Sequence, residues 1–382
     1  MQEQEPLAQA DRLTENVETF HFLDPSPERS SRQPAPTQFA NDVSEAVGGV
    51  PIVRLNRLGS LCQSHELQMK LESCNPAGSI KDKNAAFLVR AAERSGLLKP
   101  GGTIIESSSG NFGIGLAMIG AARGYRVMIV VDAKTPPPVR RMLKAYGAEL
   151  VDIPTEQADE HGSMQVARMK KAADLAREIA GGWYSCQHLN PLNPEAHAEY
   201  TAREIEASFD PVPDAIVIGV STAGQIAGLA SYLKPRYPEL DLVAVDVDGS
   251  AIFHTPRRPY KMTGLGLSFR PPAFDPLLVS EAYLINDPLA FSMCRQLACL
   301  EGLLLGASTG AIVCAGLAYA RRHPRRRRIL LINPDRGDRY LETVYNDDWI
   351  RQQGLILLAG DSLGGALEHL HPVAHSVLRG EP

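Results

Sequence analysis

From Gln68 onward the chain alternates short apolar runs with longer stretches whose apolar residues recur at helical spacing. Gln68–Glu72, Thr103–Glu106, Val127–Val131, Leu150–Ile153, Ala215–Val220, Leu242–Val247 and Ile329–Ile332 read as strands. Between them, Ala85–Ser95, Ile114–Arg123, Val139–Tyr146 and Gln165–Ile179 read as helices, closed by Gly96, Gly124, Gly147 and the pair Gly181-Gly182. Strands that lack polar alternation and are spaced by helices imply parallel sheets covered on both faces. The fold class is therefore α/β. At roughly 100–200 residues per domain, 382 residues predict two such sheets. No internal repeat is evident.

Ahead of this pattern, residues 1–41 are rich in Glu, Gln, Ser, Pro and Arg, with Asp24-Pro25-Ser26-Pro27 and Gln33-Pro34-Ala35-Pro36 as breakers. Such a stretch buries too little surface to offset its ordering entropy, so it reads as a flexible arm with a short helix near Leu7–Val17. Order is expected to begin near Val47.

Composition narrows the partners. Lys+Arg 39 against Asp+Glu 44 gives a net charge of -5, which argues against nucleic-acid binding through bulk charge and for a small-molecule ligand. The basic run Arg321–Arg328 lies between a helix and the strand Ile329–Ile332, where a solvated connector is the simpler reading than a nucleic-acid patch. The six cysteines show neither C-x-x-C pairs nor zinc spacing, and the histidines lack H-E-x-x-H, so reduced thiols and no metal are expected. The polar, acidic start is unlike a signal peptide, and no apolar stretch reaches the roughly 18–20 residues that span a bilayer. A cytoplasmic protein is expected.

Three loops of small residues carry candidate chemistry, each read as following a strand and opening a helix. They are Glu106–Gly113, Gly219–Gln225 and Gly306–Gly310, the last after Leu303-Leu304-Leu305. Such junctions offer free backbone N–H groups and the positive end of a helix dipole to an anion. None is a nucleotide motif: G-x-x-x-x-G-K-[ST] is missing, and Gly113-Ile114-Gly115 is not completed to G-x-G-x-x-G. Any one of them alone is as well read as a plain βα turn. Together with Asn75-Pro76-Ala77-Gly78-Ser79-Ile80-Lys81-Asp82-Lys83 they suggest a poised amine beside phosphate and carboxylate cradles.

The segment Asn75–Lys83 resembles the lysine motif of fold-type II pyridoxal-phosphate enzymes, the cysteine synthase and cystathionine β-synthase superfamily. Ser108-Ser109-Gly110-Asn111 is similar to its substrate-carboxylate loop, and Gln187–Asn193 to its glutamine segment. Ser221–Gln225 stands in place of its phosphate loop, Gly264-Leu265-Gly266 of its flexible glycine loop, and Gly306–Gly310 of its pyridine-nitrogen segment. The likeness runs in order from about Gly48 to Trp349. Within the superfamily the chain looks most like the siderophore-pathway N-(2-amino-2-carboxyethyl)-L-glutamate synthases. The marks are Val220-Ser221-Thr222, Asp159-Glu160-His161-Gly162 and Pro334–Tyr340.

The resemblance implies a two-domain fold like that of the tryptophan synthase β subunit, each domain an open, mostly parallel sheet flanked by helices. The smaller domain would span 75–189, and the larger cofactor-binding one 48–74 plus 190–350, with a tail over 351–382. It implies pyridoxal 5'-phosphate as cofactor, amino-acid substrates and a homodimer. Lys81 would hold the cofactor covalently and shuttle the α-proton, and Asn111 would meet its phenolic oxygen. Ser221, Thr222, Ala223, Gly224 and Gln225 would hold the phosphate, and Ser308 the pyridine nitrogen. Ser108, Ser109, Gly110 and Gln187 would grip the substrate carboxylate, and Gly264 would lie against the substrate. A neutral hydroxyl at the ring nitrogen makes a weaker electron sink than a carboxylate. That favours β-replacement on a serine derivative through an aminoacrylate, with O-phospho-L-serine as donor and L-glutamate as acceptor. Cysteine synthesis from sulfide is the alternative.

Phe112, Ala223, Gln225 and Met164 depart from the usual pattern, and Arg140, Arg141, Arg336 and Arg339 read equally as anion binders or ion-pair partners. A serine hydrolase is the rival enzyme class, since Gly306–Gly310 and Gly360–Gly364 both fit G-x-S-x-G. It leaves the Lys81 and Asn111 segments unexplained.

Overall fold

The computed structural model describes residues 39–59 and 65–381. The expected arm and its short helix near Leu7–Val17 fall outside these, apart from residues 39–41. The first described element is a 3₁₀ turn at Val43–Ala46, capped by the Asp42 carboxylate on Ser44 N–H.

The strands, in chain order, are β1 (Ile52–Arg54), β2 (Glu66–Leu71), β3 (Thr103–Ser107), β4 (Arg126–Val131), β5 (Glu149–Asp152), β6 (Gly182–Tyr184), β7 (Ala215–Gly219), β8 (Asp241–Val247), β9 (Glu281–Ile285) and β10 (Arg328–Asn333). The helices are α1 (Lys81–Ser95), α2 (Asn111–Arg123), α3 (Pro137–Ala145), α4 (Gln165–Glu178), α5 (Leu192–Ala196), α6 (Arg203–Ser208), α7 (Gly224–Leu233), α8 (Asp287–Gln296), α9 (Ala307–Arg322), α10 (Asp347–Gln352), α11 (Gly360–Glu368) and α12 (His375–Arg379). A π-helical turn, His197–Ala202, joins α5 to α6.

Two sheets result, as the pattern predicts. One has four parallel strands in the order β5-β4-β3-β6. The other has six, β1-β2-β10-β7-β8-β9, parallel except where β1 runs against β2. Strands β3, β4, β7, β8 and β10 are buried nearly throughout because helices cover both their faces. Apolar clusters lie on either side of each sheet.

Two expectations need correction. Gly181-Gly182 does more than end a helix, since Gly182 opens β6 beside β3. Leu303–Leu305 is not a strand: only Leu305 makes a single bridge, to Arg336, and Leu304 is 42% exposed. The Gly306 loop therefore opens α9 without following a sheet strand. The tail after α10 packs onto the larger sheet's clusters through Leu363, Leu367 and Leu378. No helix of the described residues is long and apolar enough to cross a membrane.

Candidate active site

Lys81 is the first residue of α1, four residues ahead of the predicted helix start. The turn before it is shaped by Asp82, whose buried carboxylate accepts from Ala77 N–H at 2.6 Å and from the Ser79 hydroxyl at 3.3 Å. Gly78, at φ +87°, lets the Arg336 side chain pass where a Cβ would come within 2.8 Å of it. Among the described residues Nζ of Lys81 has no hydrogen-bond or ion-pair partner, and burial pushes its amine down to about 8. Its charge also reaches two neutral imidazoles: burial, then Arg168, then Lys81 push His188 down to about 3, and His197 lies well below its ordinary value.

The carboxylate loop follows β3. The Ser108 hydroxyl accepts from Gly113 N–H at 3.0 Å and Gly110 N–H at 3.3 Å, so it caps the start of α2. Ser109, Gly110 and Asn111 are partly exposed. The neighbouring Gln187 backbone is tied to the same strand, because its N–H donates to the buried Glu106 carboxylate at 3.2 Å and Ser185 donates to it at 2.6 Å. Burial pushes Glu106 up to about 7.

The anion loop lies between β7 and α7. Backbone N–H groups of Ser221, Thr222, Ala223, Gly224 and Gln225 make no hydrogen bond within the described residues, and α7 presents its N-terminal end there. Ala223 holds φ 59°, a left-handed conformation, where the resemblance expects Gly. The Gln225 side chain is 9% exposed and its Nε2 has no partner. Thr222 Oγ1 accepts from Asn193 Nδ2 at 3.0 Å, and the same Asn193 accepts from Asn84, one turn along α1 from Lys81, at 2.6 Å. Sequence reasoning does not find this anchor, although Asn193 closes the glutamine segment.

Ser308 lies in the first turn of α9, fully buried, with its hydroxyl unpartnered. A Cβ on Gly264 would stand 3.3 Å from that oxygen, so the glycine keeps the space before Ser308 open. The Gly264 loop is held to the anion loop by Gly266 N–H donating to Val220 O at 3.2 Å. An unpaired amine, a set of free N–H groups, an orphaned Gln225 donor and an orphaned hydroxyl together fit a group bearing an aldehyde, a phosphate and a ring nitrogen.

The four arginines have protein partners. Arg140 binds Asp152 and the Asp132 carbonyl, Arg141 binds Glu342, and Arg336 donates to Ser73 O. Arg339 is buried and donates to Asn111 Oδ1 and Ala77 O. The hydrolase elbow fails on geometry as well: α9 follows no strand, His369 and His375 bond backbone carbonyls, and Ser362 is exposed and caps α11.

The family described as pyridoxal-phosphate dependent enzymes matches residues 43–335. The N-(2-amino-2-carboxyethyl)-L-glutamate synthase of Cupriavidus metallidurans is 37% identical over 313 residues, 81% of this chain and 91% of its own. A cysteine synthase of Staphylococcus aureus is 34% identical over 312 residues, 81% of this chain and 98% of its own. The crystal structure of O-ureido-L-serine synthase superposes with a TM-score of 0.74 at 35% identity, covering 82% of this chain and 99% of that one. The chain belongs to the pyridoxal-phosphate-dependent enzyme family, as a synthase of the β-replacement type.

Proposed function

We propose that the chain replaces the phosphate of O-phospho-L-serine by the amine of L-glutamate. The product is N-(2-amino-2-carboxyethyl)-L-glutamate, which serves 2,3-diaminopropionate biosynthesis. The observation that carries β-replacement is the buried, unpartnered hydroxyl of Ser308, a neutral group at the open space beside Gly264. The choice of donor and acceptor is supported by the likeness to relatives of that name. Bound here, pyridoxal phosphate supplies the electron sink that lets a β-substituent leave an amino acid.

The residues then divide the work. N–H groups of Ser221 to Gln225 hold the cofactor phosphate, the Gln225 amide adds a donor, and Ser308 meets the ring nitrogen without charging it. Asn111 donates to the phenolic oxygen. Loop N–H groups around Ser108, Ser109 and Gly110, with Gln187, hold the substrate carboxylate. Lys81 Nζ takes the α-proton, the β-carbon–oxygen bond breaks with its electron pair leaving on phosphate, and the glutamate nitrogen forms the new bond to that carbon while the proton it loses goes to the released phosphate. Lys81 returns the proton. An amine near 8 is suited to both directions at neutral pH. The enzyme acts as a homodimer in the cytoplasm.

A second reading, cysteine synthesis, is supported by cysteine synthases at 34% identity. Mass spectrometry of products from the loaded enzyme decides between them. O-phospho-L-serine is offered with equal glutamate and sulfide, and O-acetyl-L-serine in parallel. The expected product is the glutamate adduct, formed from the phosphorylated donor alone. Cysteine as the main product would assign the chain to sulfide chemistry instead.

A further inference from the structure

Asp335 follows the end of β10, 224 positions from Asn111, yet the two side chains meet. Asn111 Nδ2 donates to Asp335 Oδ2 at 2.7 Å, and the Tyr340 hydroxyl donates to the same oxygen at 2.6 Å. On the other side of the amide, Arg339 donates to Asn111 Oδ1 and to the Ala77 carbonyl in the turn before Lys81. The carboxylate is fully buried, with Oδ1 unpartnered against Gly306. The same segment is stitched to the lysine turn by Ile80 N–H to Pro334 O at 2.8 Å and Arg336 N–H to Gly78 O at 3.2 Å.

An asparagine amide has two ends of opposite character on nearly one shape, and only its partners decide which end points where. Arginine can only donate, so it fixes the oxygen end. An acceptor carboxylate fixes the nitrogen end. Held from both sides, Asn111 cannot flip, and one N–H on Nδ2 remains free beyond the bond to Asp335. We propose that Asp335 and Arg339 are positioning residues that orient the Asn111 amide so that its remaining N–H faces the phenolic oxygen of the cofactor. The proposal deepens the functional reading and rests on its assignment of Asn111 to that oxygen. It assigns to the Pro334–Tyr340 segment a part in cofactor electronics, beyond joining the two halves of the molecule.

The test is the visible spectrum of the loaded enzyme in Asn111→Ala, Asp335→Ala, Arg339→Met and the Asn111→Ala/Asp335→Ala double variant, each with its cofactor content and thermal midpoint. A donor lost from a charged oxygen disfavours the charged form, so the long-wavelength band should give way to the short-wavelength, neutral-phenol band. The expected change in their ratio is about tenfold. Asp335→Ala and Arg339→Met should each reproduce the Asn111→Ala shift, and the double variant should add nothing to it, as for residues acting through one group. Additive shifts overturn the proposal, as does a wild-type spectrum in Asp335→Ala beside a shifted Asn111→Ala. A silent Asn111→Ala overturns it at its premise, by separating Asn111 from the cofactor altogether. If Asp335→Ala proves unstable, Arg339→Met makes the same measurement from the other end of the amide: a shift matching Asn111→Ala supports the proposal, and an unshifted band overturns it.

Discussion

Lys81 draws its reactivity from what its neighbourhood lacks. Among the described residues no carboxylate pairs with Nζ, so burial acts alone and brings the amine down to about 8. Lys83, two residues on, shows the opposite outcome: it donates to Glu72 and Glu204 at 2.8 Å each, and those charges hold its amine above the ordinary value despite complete burial. One lysine is therefore held as a cation, while the other is available as the free amine that the proposed function asks of it. An amine attacks as the free base, whose fraction falls tenfold per pH unit below its midpoint. Capture of pyridoxal phosphate by cofactor-free protein should thus accelerate about tenfold per unit up to about pH 8 and then level. Stopped-flow absorbance between pH 6 and 9.5 reads this directly; a rate still climbing steeply above pH 9 would mean an unperturbed lysine does the capture. The companion variant Lys81→Ala should retain no visible band after gel filtration and lose about 10²–10⁴-fold or more in turnover.

At the scale of elements, glycine punctuation makes the small sheet's helices legible. Gly96 and Gly124 both take φ 74° and end α1 and α2 where the pattern puts their ends, because only a residue without Cβ adopts that cap cheaply. Their starts are harder to read. Lys81–Asn84 are polar, and Asn111–Gly113 offers Phe112 alone between an asparagine and a glycine, so apolar periodicity reads as beginning a turn late, and the candidate residues Lys81 and Asn111 occupy that missing turn. Three strands escape the sequence reading: β1 and β6 are three residues each, and β9, at the sheet edge, is a short run of four apolar or aromatic residues after Glu281. Leu303–Leu305 misleads the other way, since a leucine triplet suggests a strand but offers no pairing partner beyond Arg336. The turn after it is tightly packed. A Cβ on Gly306 would lie 1.9 Å from Asp335 Oδ1 and 2.8 Å from the Tyr340 ring. Gly306→Ala should lower stability by about 1–3 kcal/mol through overpacking, and the displaced Asp335 should shift the cofactor spectrum with it. Thermal melts beside absorbance spectra decide the matter: an unchanged melt and an unchanged band would show that the loop has room to yield.

At the scale of the molecule, the candidate site draws on loops that follow strands of both sheets, and its decisive contacts join distant parts of the chain. Sequence order displays Lys81, the loops and their spacing, because each is local. It cannot display that Asn111 meets Asp335, or that Asn193 binds both Thr222 and Asn84, because such pairs exist only once both sheets are packed. The halves are bridged by contacts of very different exposure. Arg141 and Glu342 pair at 2.9 Å with side chains 64% and 59% exposed, where water and salt screen them. Gln165 on α4 is buried: its amide nitrogen lies 3.1 Å from His188 Nε2, and its oxygen accepts from Ser268 N–H at 3.2 Å and Ser268 hydroxyl at 2.9 Å, just beyond the Gly264 loop. Removing Gln165 leaves the buried His188 Nε2 and the half-buried Ser268 N–H and hydroxyl without that partner, and a buried polar group left unsatisfied costs about 1–3 kcal/mol. Gln165→Ala should therefore lower kcat/KM by about tenfold or more through a loosened Gly264 loop, while Arg141→Ala should change stability by about 0.5 kcal/mol at most. Steady-state kinetics and thermal melts of both variants at 0.05 and 0.5 M salt separate the two contributions. If Arg141→Ala proves the costlier change, and salt reproduces its effect on the wild type, the halves are held by surface charge rather than by the buried amide.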